Sequence, residues 1–270
     1  MKKHTLFRFY FLGTCIRYLQ DLTPPARING NGFVRSNIEM LFKYFDALEL
    51  SVTSRLARGE LSEVLEHLEE IDREDSGFEF SESETIKINS SVSAIRKTMD
   101  AELNERYAFV PTPKRLALHK LLDSVHEIFC PDAFDSLPEI ARYDFSYAGK
   151  CIAFELPTAA AFHVLRATES VLRSYYEAMI KQKRIKSRNW GPIVNDLRAR
   201  RATSKHEVLN NHLDNIRASF RNPTQHPDKI YDIHEVQDLY SLCVDVVNRM
   251  VAVTRKANKP MTSNAGAATD

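Results

Sequence analysis

Apolar residues recur at intervals of three and four along most of the chain, and no other feature of the sequence constrains the fold as strongly. The stretch from Leu61 to Ile71 is typical, because glutamates separate its apolar positions in a pattern that gathers the apolar side chains on one face of a helix. Strand-like alternation is scarce, and the 270 residues include only 8 glycines. The sequence therefore predicts an all-α protein.

Two prolines, Pro111 and Pro113, divide the chain into two predicted helical regions. Residues 1–110 are expected to form a helical N-terminal region whose helices pack side by side in a hairpin-like arrangement. Residues 111–256 are expected to form an antiparallel helical bundle. Residues 257–270 are rich in small side chains and are predicted to be a disordered tail.

Prolines and capping signals set the expected limits of the helices. Pro157 suits the first turn of a long helix, and Pro223 should end the penultimate helix near Arg221. Capping-box patterns at Ser204–Glu207 and Asp232–Glu235 should open the last two helices. The predicted helices lie at about 38–52, 61–71, 85–107, 116–129, 133–155, 158–181 and 190–201, followed by the two that begin at these boxes.

Composition and charge exclude several classes of function. The net charge is +1, so no global field points to a polyanion or a membrane. The four cysteines are scattered without a CxxC pair, which favours a reducing, cytoplasmic location and argues against a zinc site. No apolar run approaches the roughly 18 residues of a membrane span. The chain lacks nucleotide-binding glycine motifs and a GxSxG motif, so no cofactor and no metal is expected.

The break between the last two predicted helices gathers the side chains that are best suited to chemistry. Arg221, Asn222 and His226 lie on one short segment that two prolines stiffen. Arginine offers a planar donor fork for a phosphate, and histidine can take and give protons near neutral pH. Together they suffice for cleavage of RNA without a metal ion. The alternative is structural, with Arg221 capping carbonyls at its helix end and His226 hydrogen-bonded within the turn.

This segment, Arg221-Asn222-Pro223-Thr224-Gln225-His226, resembles the Arg-polar-x(3–5)-His motif of the HEPN superfamily, and it stands between the last two main helices as it does in that family. The similarity extends upstream to about residue 105, through packing residues more than through further motifs. Three upstream stretches resemble an uncharacterised group of bacterial HEPN-like proteins: 148–153, 158–166 with Glu169, and 189–193.

The resemblance implies an antiparallel HEPN-type bundle and a specific activity. Many HEPN domains are metal-independent endoribonucleases that leave 2′,3′-cyclic phosphate ends, and they commonly act as homodimers. They recur in toxin–antitoxin and anti-phage defence systems, which implies RNA as substrate and an antitoxin or defence-system protein as partner. Carried over, Arg221 and His226 are catalytic, and Asn222 is the polar position of the motif. The alternative is a non-catalytic module that binds a protein or a nucleotide, as in many relatives.

Two further groups are candidates for substrate binding. His163, Arg166 and Glu169 recur at steps of three on one predicted helix, so they share one side of it and can line the same cleft. The alternative is a hydrogen-bond network within the bundle. The second group lies in a basic loop that could attract an RNA backbone or simply be solvated, and it consists of Lys183, Arg184 and Lys186. Trp190, beside that loop, is expected to be a core anchor.

Overall fold

A computed structural model describes residues 4–23, 26–27, 33–74, 79–180, 189–226 and 229–258. The chain divides into two compact units, Met1–Phe109 and Val110–Asp270. Most of the described residues are helical, and the strands among them form one antiparallel pair of two residues each, which confirms the all-α class. None of the described helices is both long enough and apolar enough to cross a membrane.

The first unit contains four helices and the strand pair. Its elements are α1 (Leu6–Gln20), β1 (Ala26–Arg27), α2 (Phe33–Ala47), α3 (Ser51–Glu74), β2 (Glu79–Phe80) and α4 (Glu82–Asn104). Helix α1 packs on α2 and α4, α2 on α3, and α3 on α4, so the four helices form a closed arrangement rather than the expected hairpin. No helix was expected at α1, because its apolar residues do not keep to one face: Leu12 and Leu19 are buried, whereas Phe7 and Tyr10 are exposed.

The boundary between α2 and α3 falls inside the helix predicted at 38–52, and α3 contains the helix predicted at 61–71. The break falls at Glu49, whose φ of 58° lies in the left-handed region. The N–H of Leu50 donates to the Phe45 carbonyl and that of Glu49 to the Asp46 carbonyl, which is the Schellman pattern of a helix end. Glycine usually occupies this position, so the glutamate hid the break from a reading of the sequence.

The second unit places α7 at the centre of a helical bundle. Helix α7 (Pro157–Ile180) packs on α6 (Glu139–Ala153) and on the last helix, and Pro157 opens it as expected. The other elements are α5 (Leu118–Leu122), a 3-10 turn (Val125–Ile128), α8 (Trp190–Ala199), α9 (Arg201–Ser204), α10 (Glu207–Ile216), a π turn (Arg217–Arg221), α11 (Asn222–Thr224) and α12 (Ile233–Asn258). Helix α12 thus extends two residues beyond the predicted boundary at 256, and residues 259–270 lie outside the described residues.

The predicted helix at 116–129 is interrupted at residues 123–124, where α5 ends before the 3-10 turn. Both segments pack closely on α6 at Gly149. A Cβ atom on Gly149 would stand 2.6 Å from the Leu121 carbonyl oxygen and 3.2 Å from a Val125 methyl carbon. Leu121 and Val125 are both buried there, so this position has no room for a side chain.

At one of the two predicted capping boxes, Asp232 caps the helix through its own side chain, which is half of the predicted pattern. Asp232 Oδ1 accepts the N–H groups of His234 and Glu235 at 2.7 and 2.8 Å, and these bonds lower the pKa of the Asp232 carboxyl. The box at Ser204 is wrong, since Ser204 ends α9 and α10 begins at Glu207 without a side-chain cap.

Candidate functional site

The motif segment, Arg221–His226, begins at the last residue of the π turn and continues through the short helix α11. The Asn222 N–H donates to the Arg217 carbonyl, five residues back, and α11 then runs through Pro223 to Thr224. The helical turns thus run three residues past Arg221, near which Pro223 was expected to end the helix, and the chain changes direction after Thr224. A regular helix cannot hold Pro223, whose ring would meet the carbonyl four residues back, and the wider π turn relieves that clash.

Two buried hydroxyl groups hold the motif segment against the rest of the unit. The Thr224 hydroxyl donates to the Phe220 carbonyl at 2.6 Å and lies 2.6 Å from the Tyr231 hydroxyl, which is 3.2 Å from the same carbonyl. Tyr231 is 2% exposed, and desolvation raises the pKa of its phenol. The two hydroxyls satisfy a carbonyl near the end of the π turn, and they fix the position of the side chains around it.

Arg221 lines a cavity of about 340 Å³ between α7 and α11. Its guanidinium Nη2 lies 3.7 Å from Glu169 Oε2, and Glu169 Oε1 also accepts from Arg173 at 2.6 Å. Of the predicted substrate-binding residues, the structure brings His163, Arg166 and Glu169 together with Arg221 here. The lining consists of Phe162, His163, Leu165, Arg166, Glu169, Arg221, Thr224 and Gln225.

A buried carboxylate, Asp144 on α6, orients two of these side chains. It lies 2.8 Å from His163 Nδ1, and it accepts from Arg166 through Nε at 2.6 Å and Nη2 at 2.5 Å. The Asp144 side chain is 0% exposed, whereas that of Arg166 is 57% exposed. The hydrogen bonds to Asp144 raise the pKa of Arg166. Since an ionised carboxylate only accepts, His163 donates through Nδ1, which leaves its Nε2 atom free to take a proton.

Asp144 is the residue that the sequence analysis missed. It occupies a core position of α6 between the buried residues Ala141 and Ala148. An aspartate on the apolar face of a helix is rare unless it is paired, and this was the available signal.

His226 and Asn222 face a different concavity from Arg221. His226 is exposed, and its backbone N–H donates to the Pro223 carbonyl at 2.9 Å. The two residues line a second concavity of about 410 Å³ together with Ala218, Pro223 and Lys229. A single chain therefore does not bring Arg221 and His226 into one cavity, although the resemblance assigns both to one phosphate.

The remaining candidates divide between the core and a segment outside the described residues. Lys183, Arg184 and Lys186 lie in 181–188, which is outside the described residues. Trp190 is 1% exposed and donates through Nε1 to the Leu213 carbonyl at 3.0 Å, which confirms that it is a core anchor. Within the described ranges, no group of three or more His, Cys, Asp or Glu side chains is placed to hold a metal ion.

Comparison with known proteins finds no family model that matches the chain, no similar curated protein and no similar solved structure.

Proposed function

We propose that this chain is a metal-independent endoribonuclease of HEPN type that leaves 2′,3′-cyclic phosphate ends. The observation that carries the proposal is the cavity that Arg221 lines together with His163, whose imidazole is oriented by the buried Asp144 carboxylate. Cleavage of a phosphodiester bond requires a group that transfers protons and a group that stabilises charge on the phosphate, and an oriented imidazole and a guanidinium are such groups. The resemblance of the motif segment adds the biological setting, a cytoplasmic toxin or anti-phage effector with an antitoxin or defence-system protein as partner.

We infer a role in this reaction for each charged group that lines the cavity. His163 Nε2 takes the proton of the 2′-hydroxyl, whose oxygen then bonds to phosphorus while the bond from phosphorus to the 5′-oxygen breaks. Arg221 and Arg166 stabilise the charge that develops on the phosphate oxygens. Glu169 holds Arg221 in place when no substrate is bound.

The leaving 5′-oxygen needs a proton, and we give that task to His226, which the motif resemblance implies is catalytic. Because His226 lines a different concavity from Arg221, it can reach the phosphate only from a second copy of the chain or after movement of the bend at residues 225–226. This requirement favours a homodimer as the active species.

Replacement of the two histidines separately tests these roles. His163→Ala and Arg221→Ala are expected to lower the rate of RNA cleavage by at least about a hundredfold, the effect of losing one acid–base or charge-stabilising group. His226→Ala should have a similar effect, and mixing the His226→Ala and Arg221→Ala chains should restore part of the activity if two copies share one site. Exposed His234 on α12 provides the control, since His234→Ala should cut at the parent rate.

Product analysis and chelation complete the test. The parent chain should leave cyclic phosphate ends on a mixed RNA pool, and EDTA should not change the rate. Cleavage at the parent rate by His163→Ala would show that the base is another group. Parent rates in both His163→Ala and Arg221→Ala would mean that the cavity is not the active site.

A second candidate function is a non-catalytic module that binds a nucleotide or a protein partner. It is favoured by the separation of Arg221 from His226 and by the pairing of Arg221 with Glu169 and Arg166 with Asp144 inside the chain. A parent chain that binds an oligonucleotide tightly, yet releases no cyclic phosphate at any protein concentration, would establish this function instead.

A further inference from the structure

An exposed stripe of one aliphatic, two aromatic and one basic side chain runs along α6. The stripe consists of Ile140, Tyr143, Tyr147 and Lys150, whose spacing of three, four and three residues places them on one face of the helix. The two tyrosines are 50% and 39% exposed, and Ile140 is 50% exposed. None of these four side chains belongs to the hydrophobic core of the second unit, so packing within the unit does not explain why apolar and aromatic residues stand here.

The two tyrosines of the stripe are held in a fixed arrangement. Their ring centroids are 4.3 Å apart at an interplanar angle of 23°, so each ring covers one face of the other. The Lys150 ammonium lies 4.7 Å from the centroid of the Tyr147 ring. These contacts order the outer faces of the pair before any ligand arrives, which lowers the entropic cost of stacking a base on them.

The stripe is continuous with the Arg221 cavity. The Tyr147 ring centroid lies 5.7 Å from that of the His163 imidazole, which lines the cavity. One cation, Lys150, lies against the stripe, and another, Arg166, lines the cavity to which the stripe leads.

We propose that Tyr143 and Tyr147 form a stacking platform for the unpaired bases next to the phosphate in the Arg221 cavity, so that the substrate is single-stranded RNA. This inference rests on the proposed function, because it takes RNA as the ligand of the cavity. Exposed aromatic faces beside cations bind single strands without regard to sequence, whereas the bases of a duplex are stacked on one another and are not accessible. A second copy of the chain fits the stripe less well, since the core of an interface between copies is depleted of charged side chains.

Binding of an oligonucleotide that cannot be cleaved tests the platform without requiring catalysis. The probe is a short, fluorescein-labelled 2′-O-methyl oligoribonucleotide of mixed sequence, offered as a single strand or as a duplex, with affinity measured by anisotropy at fixed salt. Tyr143→Leu and Tyr147→Leu are each expected to weaken single-strand binding about five- to 150-fold, the effect of losing one aromatic partner of a base. Tyr143→Phe and Tyr147→Phe keep the ring and should bind within about twofold of the parent.

The control is Tyr107→Leu, which removes a more exposed tyrosine from the first unit and should leave the affinity unchanged. Equal binding by the leucine variants of the platform and the parent would overturn the inference, whether or not the chain cuts RNA. Tighter binding of the duplex than of the single strand would also overturn it. Ring-dependent binding by a chain that never cleaves RNA would support the platform and refute the nuclease.

The oligomeric state of the same variants tests whether a second copy of the chain, instead of RNA, covers the stripe. The parent and the Tyr143→Leu and Tyr147→Leu variants should sediment alike. A dimer in the parent that dissociates in the leucine variants would identify the stripe as an interface between copies, and the inference would then be wrong.

Discussion

Asp144 shows at the scale of one residue how a buried charge can be maintained and used. Its carboxylate is removed from water, which is costly unless several donors replace the lost hydration. Three short contacts from His163 and Arg166 supply that replacement, and they bring both side chains to the cavity. In the proposed reaction Asp144 is a positioning residue, because it acts on the phosphate only through its two partners.

Asp144→Asn should weaken both the second unit and the reaction. The free energy of unfolding is expected to fall by about 1–3 kcal/mol, since charge-assisted hydrogen bonds become neutral ones or are lost. The rate constant for cleavage should fall more than the apparent affinity for RNA, because the substitution disturbs the orientation of His163. Chemical denaturation and single-turnover kinetics measure the two effects. Exposed Asp135 provides the control, and Asp135→Asn should change neither quantity; equal losses in both variants would contradict the role of Asp144.

At the scale of elements, the π turn determines where the motif side chains point. The wider turn accommodates Pro223 and is completed by the buried hydroxyls of Thr224 and Tyr231. Arg221 ends the π turn and His226 follows α11, and the two side chains line different concavities. The geometry of the candidate site therefore depends on an irregular element, whose support comes from a tyrosine that precedes the last helix.

Tyr231→Phe is expected to loosen the motif segment without unfolding the bundle. The loss of one buried hydroxyl should lower the free energy of unfolding by about 0.5–1.5 kcal/mol. Amide hydrogen exchange at residues 224–226 should accelerate, because the Phe220 carbonyl and the Thr224 hydroxyl each lose a partner. Tyr107→Phe, at an exposed position, should leave both measurements unchanged. Unchanged exchange in Tyr231→Phe would show that the turn does not need this hydroxyl.

Helix α4 begins with a capping box whose strength should depend on pH. Glu84 Oε2 accepts from the Ser81 hydroxyl at 2.6 Å and from the Ser81 N–H at 2.8 Å, while Ser81 Oγ accepts the Glu84 N–H at 3.3 Å. The hydrogen bonds from Ser81 lower the pKa of Glu84 below its ordinary value. A lowered pKa means that the carboxylate stabilises the fold fully above the unfolded-state pKa, and that this contribution is lost as the pH falls through the folded-state pKa.

Ser81→Ala should therefore destabilise the first unit most at neutral pH. The loss is expected to be about 1 kcal/mol near pH 7 and to shrink as Glu84 becomes protonated in acid. Urea denaturation between neutral and acidic pH measures the difference. Ser90→Ala, on the exposed face of the same helix, should show no such dependence on pH. A Ser81→Ala difference that is constant across the range would refute the role of the carboxylate.

At the scale of the whole molecule, each unit has a hydrophobic core of its own. The core of the first unit is built from α1 to α4, and that of the second from α5 to α12, with no residue in common. A unit that buries its own apolar side chains can fold by itself. The candidate cavity, the motif segment and the tyrosine stripe all belong to Val110–Asp270.

A fragment that consists of residues 110–270 should consequently fold alone and keep the chemistry. We expect helical circular dichroism, a cooperative thermal transition and cleavage of RNA to cyclic phosphate ends. The full chain, measured in parallel, is the reference. A fragment that is helical but melts without cooperativity would show that the second core is incomplete without residues 1–109.

The sequence by itself determined the helical class, because the three- and four-residue recurrence of apolar side chains is a local property of the chain. It also located Pro157, Asp232 and the core position of Trp190, since caps and large apolar residues act through near neighbours. Tertiary structure alone decided the interruption of the predicted helix at residues 123–124, the π turn and the pairing of Asp144 with α7. These depend on which backbones and side chains meet across the bundle, and the spacing of residues along the chain does not encode such distances.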